Sequence, residues 1–161
     1  MFKLATNTSE QTFENFKVTK ENRLANAAAL AVAEKPGGDY NPFYMYSTSE
    51  TSDMRHLLCA IGNRIEKKSP EKIVLYATGK ELAEAVSKNN NPLFFEKIDV
   101  LLLENIQDFS AEHYEDLKDI LEKFTANDKQ IVITSNLPPK DLPNADFSII
   151  TQLNIGMVVG I

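Results

Sequence analysis

The order of apolar segments predicts a three-layer αβα fold, with a five-stranded parallel sheet covered by helices on both faces. Three observations carry this expectation. Short runs rich in β-branched and aromatic residues (Phe43 to Tyr46, Ile73 to Ala77, Val100 to Leu103, Ile131 to Thr134 and Met157 to Ile161) alternate with longer stretches of helical periodicity. Val100-Leu101-Leu102-Leu103 is apolar at every position, as a central parallel strand covered on both sides requires. The chain has 161 residues, 43% hydrophobic and 25% charged, enough for one packed domain.

Residues 1–11 are polar and rich in Thr, Ser and Asn, so they are expected to form a flexible arm, with the core domain over 12–161. Leu24, Ala27, Ala28, Leu30, Ala31 and Ala33 predict a first helix over 20–34, stopped by Pro36-Gly37-Gly38. A second helix is expected over 53–67, with Leu57, Leu58, Ile61 and Ile65 on one face. Thr78 and Glu81 have the spacing of a capping box that opens a third helix. Asn89-Asn90-Asn91-Pro92 breaks it, and Leu93, Phe94 and Phe95 are expected to be a packed connector. Ser110 is expected to cap a fourth helix whose buried stripe is Tyr114, Leu117, Ile120, Leu121 and Phe124.

A net charge of −6 argues against a broad nucleic-acid footprint, which shows as a basic face. The single cysteine, Cys59, excludes an internal disulfide and fits a reducing compartment. No signal-like N-terminus is apparent and no apolar run approaches the ~20 residues that span a bilayer. The expected location is cytoplasmic.

Tyr44 to Gly62 has the outline of a nucleotide-binding P-loop: an apolar strand, a small-polar turn, then an amphipathic helix. The chemistry differs. Such a loop needs glycines to turn backbone N–H groups onto phosphate oxygens, and a lysine to reach the terminal phosphates. The turn Ser47-Thr48-Ser49-Glu50-Thr51-Ser52-Asp53-Met54-Arg55 holds neither, and Glu50 and Asp53 would repel a triphosphate. Three other constellations carry blander readings. His56 and Cys59, three apart on a helix, lack a third ligand for a metal and fit core packing better. Ser52, Asp53 and His56 have neither the spacing nor the turn of a hydrolase nucleophile. Glu112, Glu115, Asp116, Asp119 and Glu122 read as a solvated helix face, or as a surface for a basic partner.

The segments resemble, in order, the ATPase domain of the bacterial replication initiator DnaA. The residues that carry the resemblance are Thr12-Phe13-Glu14-Asn15-Phe16-Lys17-Val18 through Asn22-Arg23-Leu24 to Glu34, then Tyr40-Asn41-Pro42-Phe43, His56-Leu57-Leu58, Asp99-Val100-Leu101-Leu102, Asn105-Ile106-Gln107, Lys129 to Ser135, and Pro138-Pro139-Lys140. The resemblance implies an AAA+ fold, an ATP site, oligomerisation and origin opening. It implies a nucleotide site at Phe16, Val18 and Asn22 on the adenine side, with Ser52, Asp53, Arg55, Glu104 and Asn136 on the phosphate side. The Phe13, Phe16, Val18 and Asn22 cluster would then either grip an adenine or anchor the N-terminal arm on the first helix; the second reading is preferred.

The departures fall on reactive positions. Arg55 is the only cation in the loop and stands where the family has a magnesium-binding hydroxyl. Two acids are expected after the Val100–Leu103 strand, where Glu104 and Asn105 stand; Asn136 falls in the family's sensor region. The family's arginine-rich box corresponds to Phe147-Ser148-Ile149-Ile150-Thr151-Gln152-Leu153, which has no arginine. Residues 78–99 are shorter and less basic than the family's single-stranded DNA segment, and no helical lid or helix-turn-helix follows the last strand. The expectation is a nucleotide-binding-deficient paralog with no catalytic residues, metal or cofactor. It would act as a regulator through a DnaA-type initiator or a helicase or its loader, without direct DNA binding. The alternative is an ATP/ADP switch with magnesium at a weak site.

Overall fold

The computed structural model describes residues 3–4, 10–88 and 95–161. Its sheet is built from β1 (Lys3–Leu4), β2 (Phe43–Tyr46), β3 (Val74–Thr78), β4 (Val100–Glu104), β5 (Gln130–Ser135) and β6 (Met157–Gly160), in the spatial order β1-β3-β4-β5-β2-β6. The five longer strands are parallel, as the sequence predicts; β1 adds a two-residue antiparallel edge against Leu75 and Tyr76. The expected arm over 1–11 lies mostly outside the described residues. Within it, Lys3 and Leu4 are paired to the sheet.

Strand periodicity divides the core. Tyr44, Leu75, Leu101, Leu103, Ile131 and Ile133 point to one face, and Phe43, Met45, Val74, Val100, Leu102 and Val132 to the other. The first face is covered by α3 (Gly79–Ser87), α4 (Tyr114–Ala126) and α5 (Phe147–Asn154), the second by α1 (Arg23–Glu34) and α2 (Asp53–Lys68). The predicted stripe of α2 is buried as expected, and the Thr78/Glu81 capping box is present.

Two local expectations are corrected. Helix α1 begins at Arg23, and its buried face is Ala25, Ala28, Ala29, Val32 and Ala33; Leu24 lies off that face and is 60% exposed. Ser110 opens a single 3₁₀ turn over 111–113, and α4 itself starts at Tyr114 after His113. The stretch 147–154, for which no element is expected from the sequence, is a helix. Phe95 packs against the core, while the rest of the expected connector, Leu93 and Phe94, lies outside the described residues.

Candidate functional site

The C-terminal ends of parallel strands form the crevice where ligands of such sheets bind. Here Tyr46, Thr78, Glu104 and Ser135 mark that rim. Period-2 alternation places Glu104 on the α2 face, continuing Val100 and Leu102. Tyr76 of β3 pairs with Leu102, and Thr78 with Glu104, so the Tyr76 phenol lies diagonally beside the Glu104 carboxyl. Helix α2 approaches this face closely at Gly62, where a Cβ would come within 2.8 Å of Leu102 Cδ1. Two helical turns earlier on the same side stands Arg55.

The result is a three-residue cluster. Arg55 Nη1 donates to Glu104 Oε1 at 2.6 Å and also to the Tyr76 hydroxyl, which itself donates to Glu104 Oε1. The guanidinium lies over the Tyr76 ring, 5.4 Å from its centroid. The Glu104 side chain is 13% exposed and that of Arg55 48%, so the guanidinium is the outer layer and the carboxylate the inner one. Hydrogen bonding and charge from Glu104 push the Arg55 guanidinium above its already high range, and burial followed by Glu104 pushes the Tyr76 phenol up. Sequence reasoning singled out Arg55 and Glu104 but missed Tyr76. Its only signal was a polar aromatic two residues before the strand end.

This arrangement makes an unequal pair of variants. Arg55→Ala leaves a largely covered carboxylate with one remaining donor and is expected to cost about 1–2 kcal/mol. Glu104→Ala frees a half-exposed guanidinium that water can solvate, and is expected to cost less. Urea unfolding of the two variants checks the order, and the reverse order would reject it.

A second group forms around Asn22, which is fully buried. Its Nδ2 donates to Lys17 O (3.1 Å) and to Asp53 Oδ2 (3.0 Å), and its Oδ1 accepts from Thr19 N (2.7 Å). Asn22 and Asp53 are therefore brought together, with each satisfying the other. Phe16 is buried and its ring lies 5.0 Å from that of His56, whose Nε2 contacts Thr12 O and Asn15 Oδ1. Asn63 donates to Gln11 O, and Arg64 bridges Glu14 and Glu34 while covering the Phe13 ring at 5.2 Å. The hydrogen bonds that hold residues 11–16 run to α2, and Phe16 also lies in the buried cluster that includes the alanines of α1. Val18 is 47% exposed.

The turn between β2 and α2 is bonded to itself. Ser47 Oγ donates to Ser49 O and accepts from Ser49 N, and Thr51 Oγ1 accepts from Asp53 N. Ser52 is exposed and its side chain caps nothing, so Thr51 supplies the helix-opening hydroxyl. Asn136 is exposed at the end of β5, and its backbone N–H donates to Gln107 Oε1. Asn105, in left-handed backbone with φ 59°, donates its N–H to Thr134 Oγ1. His56 and Cys59 gain no third partner: no group of three or more His, Cys, Asp or Glu able to hold a metal occurs among the described residues. No described helix is long and apolar enough to cross a membrane. Helix α5 caps on Asp146, and the next residue, Phe147, is 84% exposed.

The chain matches the family model for the bacterial DnaA ATPase domain over residues 7–160. It is 35% identical over 159 residues to the chromosomal replication initiator protein DnaA of Oenococcus oeni, an alignment covering 93% of this chain and 35% of that protein. It thus spans about a third of the length of the curated relatives it matches. Domain III of the Thermotoga maritima replication initiation protein DnaA superposes with a TM-score of 0.85 at 28% identity, over 99% of this chain and 68% of that one. AMPPCP-bound DnaA from Aquifex aeolicus superposes with a TM-score of 0.86 at 27% identity, over 98% and 51% of the two chains.

Proposed function

We propose, because this chain belongs to the bacterial DnaA ATPase-domain family, that it works in bacterial DNA replication initiation as a nucleotide-binding-deficient protein-interaction domain. The observation that carries the reading is the closure of Arg55 on Glu104 and Tyr76. A triphosphate with magnesium needs inward N–H groups, free cations for its phosphates and a carboxylate near the metal. The groups present do not fit that need. The one cation of the loop is bonded to the one rim carboxylate of β4, the Ser47 and Thr51 hydroxyls bond within the turn, and Asp53 brings a negative charge.

What is well formed is the scaffold. Both cores are continuous, and Arg64 and Lys68 tie α2 to Glu34 of α1. The partner we propose is a protein of the initiation machinery, a DnaA-type initiator or a helicase or its loader. Net charge −6 disfavours direct contact with DNA phosphates. Titration calorimetry with ATP and magnesium is expected to give no binding heat up to millimolar nucleotide. Sedimentation with the cognate initiator is expected to show a complex that does not depend on ATP. Micromolar nucleotide binding would reject the first half of the reading, and no complex in either condition the second.

A second reading is an ATP/ADP switch with a weak site. It is favoured by the superposition on AMPPCP-bound Aquifex aeolicus DnaA and by the survival of a carboxylate at Glu104. The same calorimetry separates the two.

A further inference from the structure

Two donors converge on one oxygen, Glu104 Oε1: the Arg55 guanidinium at 2.6 Å and the Tyr76 hydroxyl, while Arg55 also lies over the Tyr76 ring. The carboxylate is 13% exposed beneath a guanidinium that is 48% exposed. A hard cation arriving at the end of β4 would need both the lone pairs of that oxygen and its uncompensated charge. Arg55 uses both. The arginine, in the first turn of α2, is therefore more than an unfavourable residue: its position makes it a competitor for whatever Glu104 could bind.

We infer that Arg55 is a built-in counter-ion that occupies Glu104 and excludes metal ions from the end of β4. The inference rests on the reading of this crevice as one that takes no nucleotide, and it names the residue that keeps it so. It follows that the carboxylate is latent, not lost. Neutralising Arg55 uncovers a cation site in which Glu104 supplies the charged ligand and water the remaining ones, as small hard cations accept.

Terbium(III) is the probe, because its luminescence is sensitised by a nearby tyrosine and Tyr76 adjoins Glu104. Titrations compare the wild-type chain, R55Q, R55K, E104Q and R55Q/E104Q, with circular dichroism confirming the fold of each. Ions held by the acidic face of α4 contribute equally to all five and cancel. R55Q is expected to bind terbium at least tenfold more tightly than wild type. R55K keeps the charge and R55Q/E104Q lacks the ligand, so both are expected to stay at the wild-type level. E104Q is expected to match wild type, because the carboxylate it removes is already occupied. A folded R55Q with wild-type affinity, or a gain that persists in R55Q/E104Q, overturns the inference. So does a loss of binding in E104Q, which would mean that Glu104 takes metal with Arg55 in place; this comparison can overturn the inference even if R55Q does not fold. The outcome is separable from the nucleotide question. Wild-type calorimetry with ATP and magnesium tests the function, whereas the ratio of R55Q to wild type tests Arg55.

Discussion

Asn22→Asp is expected to destabilise the fold by about 2–4 kcal/mol at neutral pH, and by distinctly less near pH 4. The substitution keeps the Oδ1 that accepts from Thr19 N and removes only the Nδ2 that donates to Lys17 O and Asp53 Oδ2. It therefore isolates a donor. In its place stands a carboxylate, fully buried, facing a carbonyl and a second carboxylate where the amide nitrogen had been 3.0 Å from Asp53 Oδ2. Burial and like charge both disfavour ionisation, so the folded pKa of the new group would be raised above the ordinary value of about 3.9. The sign follows. A raised folded pKa favours the folded state only while the group is protonated, so the penalty is present at pH 7 and eases as pH falls through the raised value. Urea midpoints of wild type and variant at pH 7 and pH 4 check this. A gap that is the same at both values would mean that the lost hydrogen bonds, not the paired charges, dominate.

Asn22 also shows how far the sequence could be read. The family resemblance implies an adenine-side contact at Asn22, and the structure gives the residue a structural task, holding Asp53 at the first turn of α2 from 31 residues away. The task depends on a partner that no local pattern reveals. The strands were legible because buried parallel strands are apolar at every position, and α2 and α3 because long periodic stripes and a capping box are local signals. Helix α5 was not, since Phe147-Ser148-Ile149-Ile150-Thr151 has β-rich composition and only two turns in which to display a helical period. The Arg55–Glu104–Tyr76 cluster lies between these extremes. Two of its members stand out as a charge in a loop and an acid after an apolar strand. Their pairing needs the β3/β4 register and the close approach of α2 at Gly62, which only the assembled core fixes.

Gly79→Ala is expected to cost about 2–3 kcal/mol and to disturb the rim of the crevice as well as the core. Gly79 is the first residue of α3, buried immediately after the Thr78 cap. A Cβ there would stand 2.5 Å from Asn105 O, 3.2 Å from Asn105 C and 3.1 Å from Ile106 Cα. All three are backbone atoms, so no side-chain rotation relieves the clash. The chain just after β4 has little room to retreat. Asn105 is already in left-handed backbone, its N–H is bonded to Thr134 Oγ1, and Ile106 is fully buried in the core. Displacing Asn105 moves its neighbour Glu104, whose carboxylate holds Arg55. The variant should therefore lose part of the Arg55–Glu104 coupling together with its stability. A double-mutant cycle of Arg55→Ala and Glu104→Ala, measured by urea unfolding in the Gly79→Ala and wild-type backgrounds, reads the two effects separately. An unchanged coupling energy alongside lowered stability would show that α3 packs on the β4 end without positioning its carboxylate. Unchanged stability would show that the contact yields more easily than its backbone character implies.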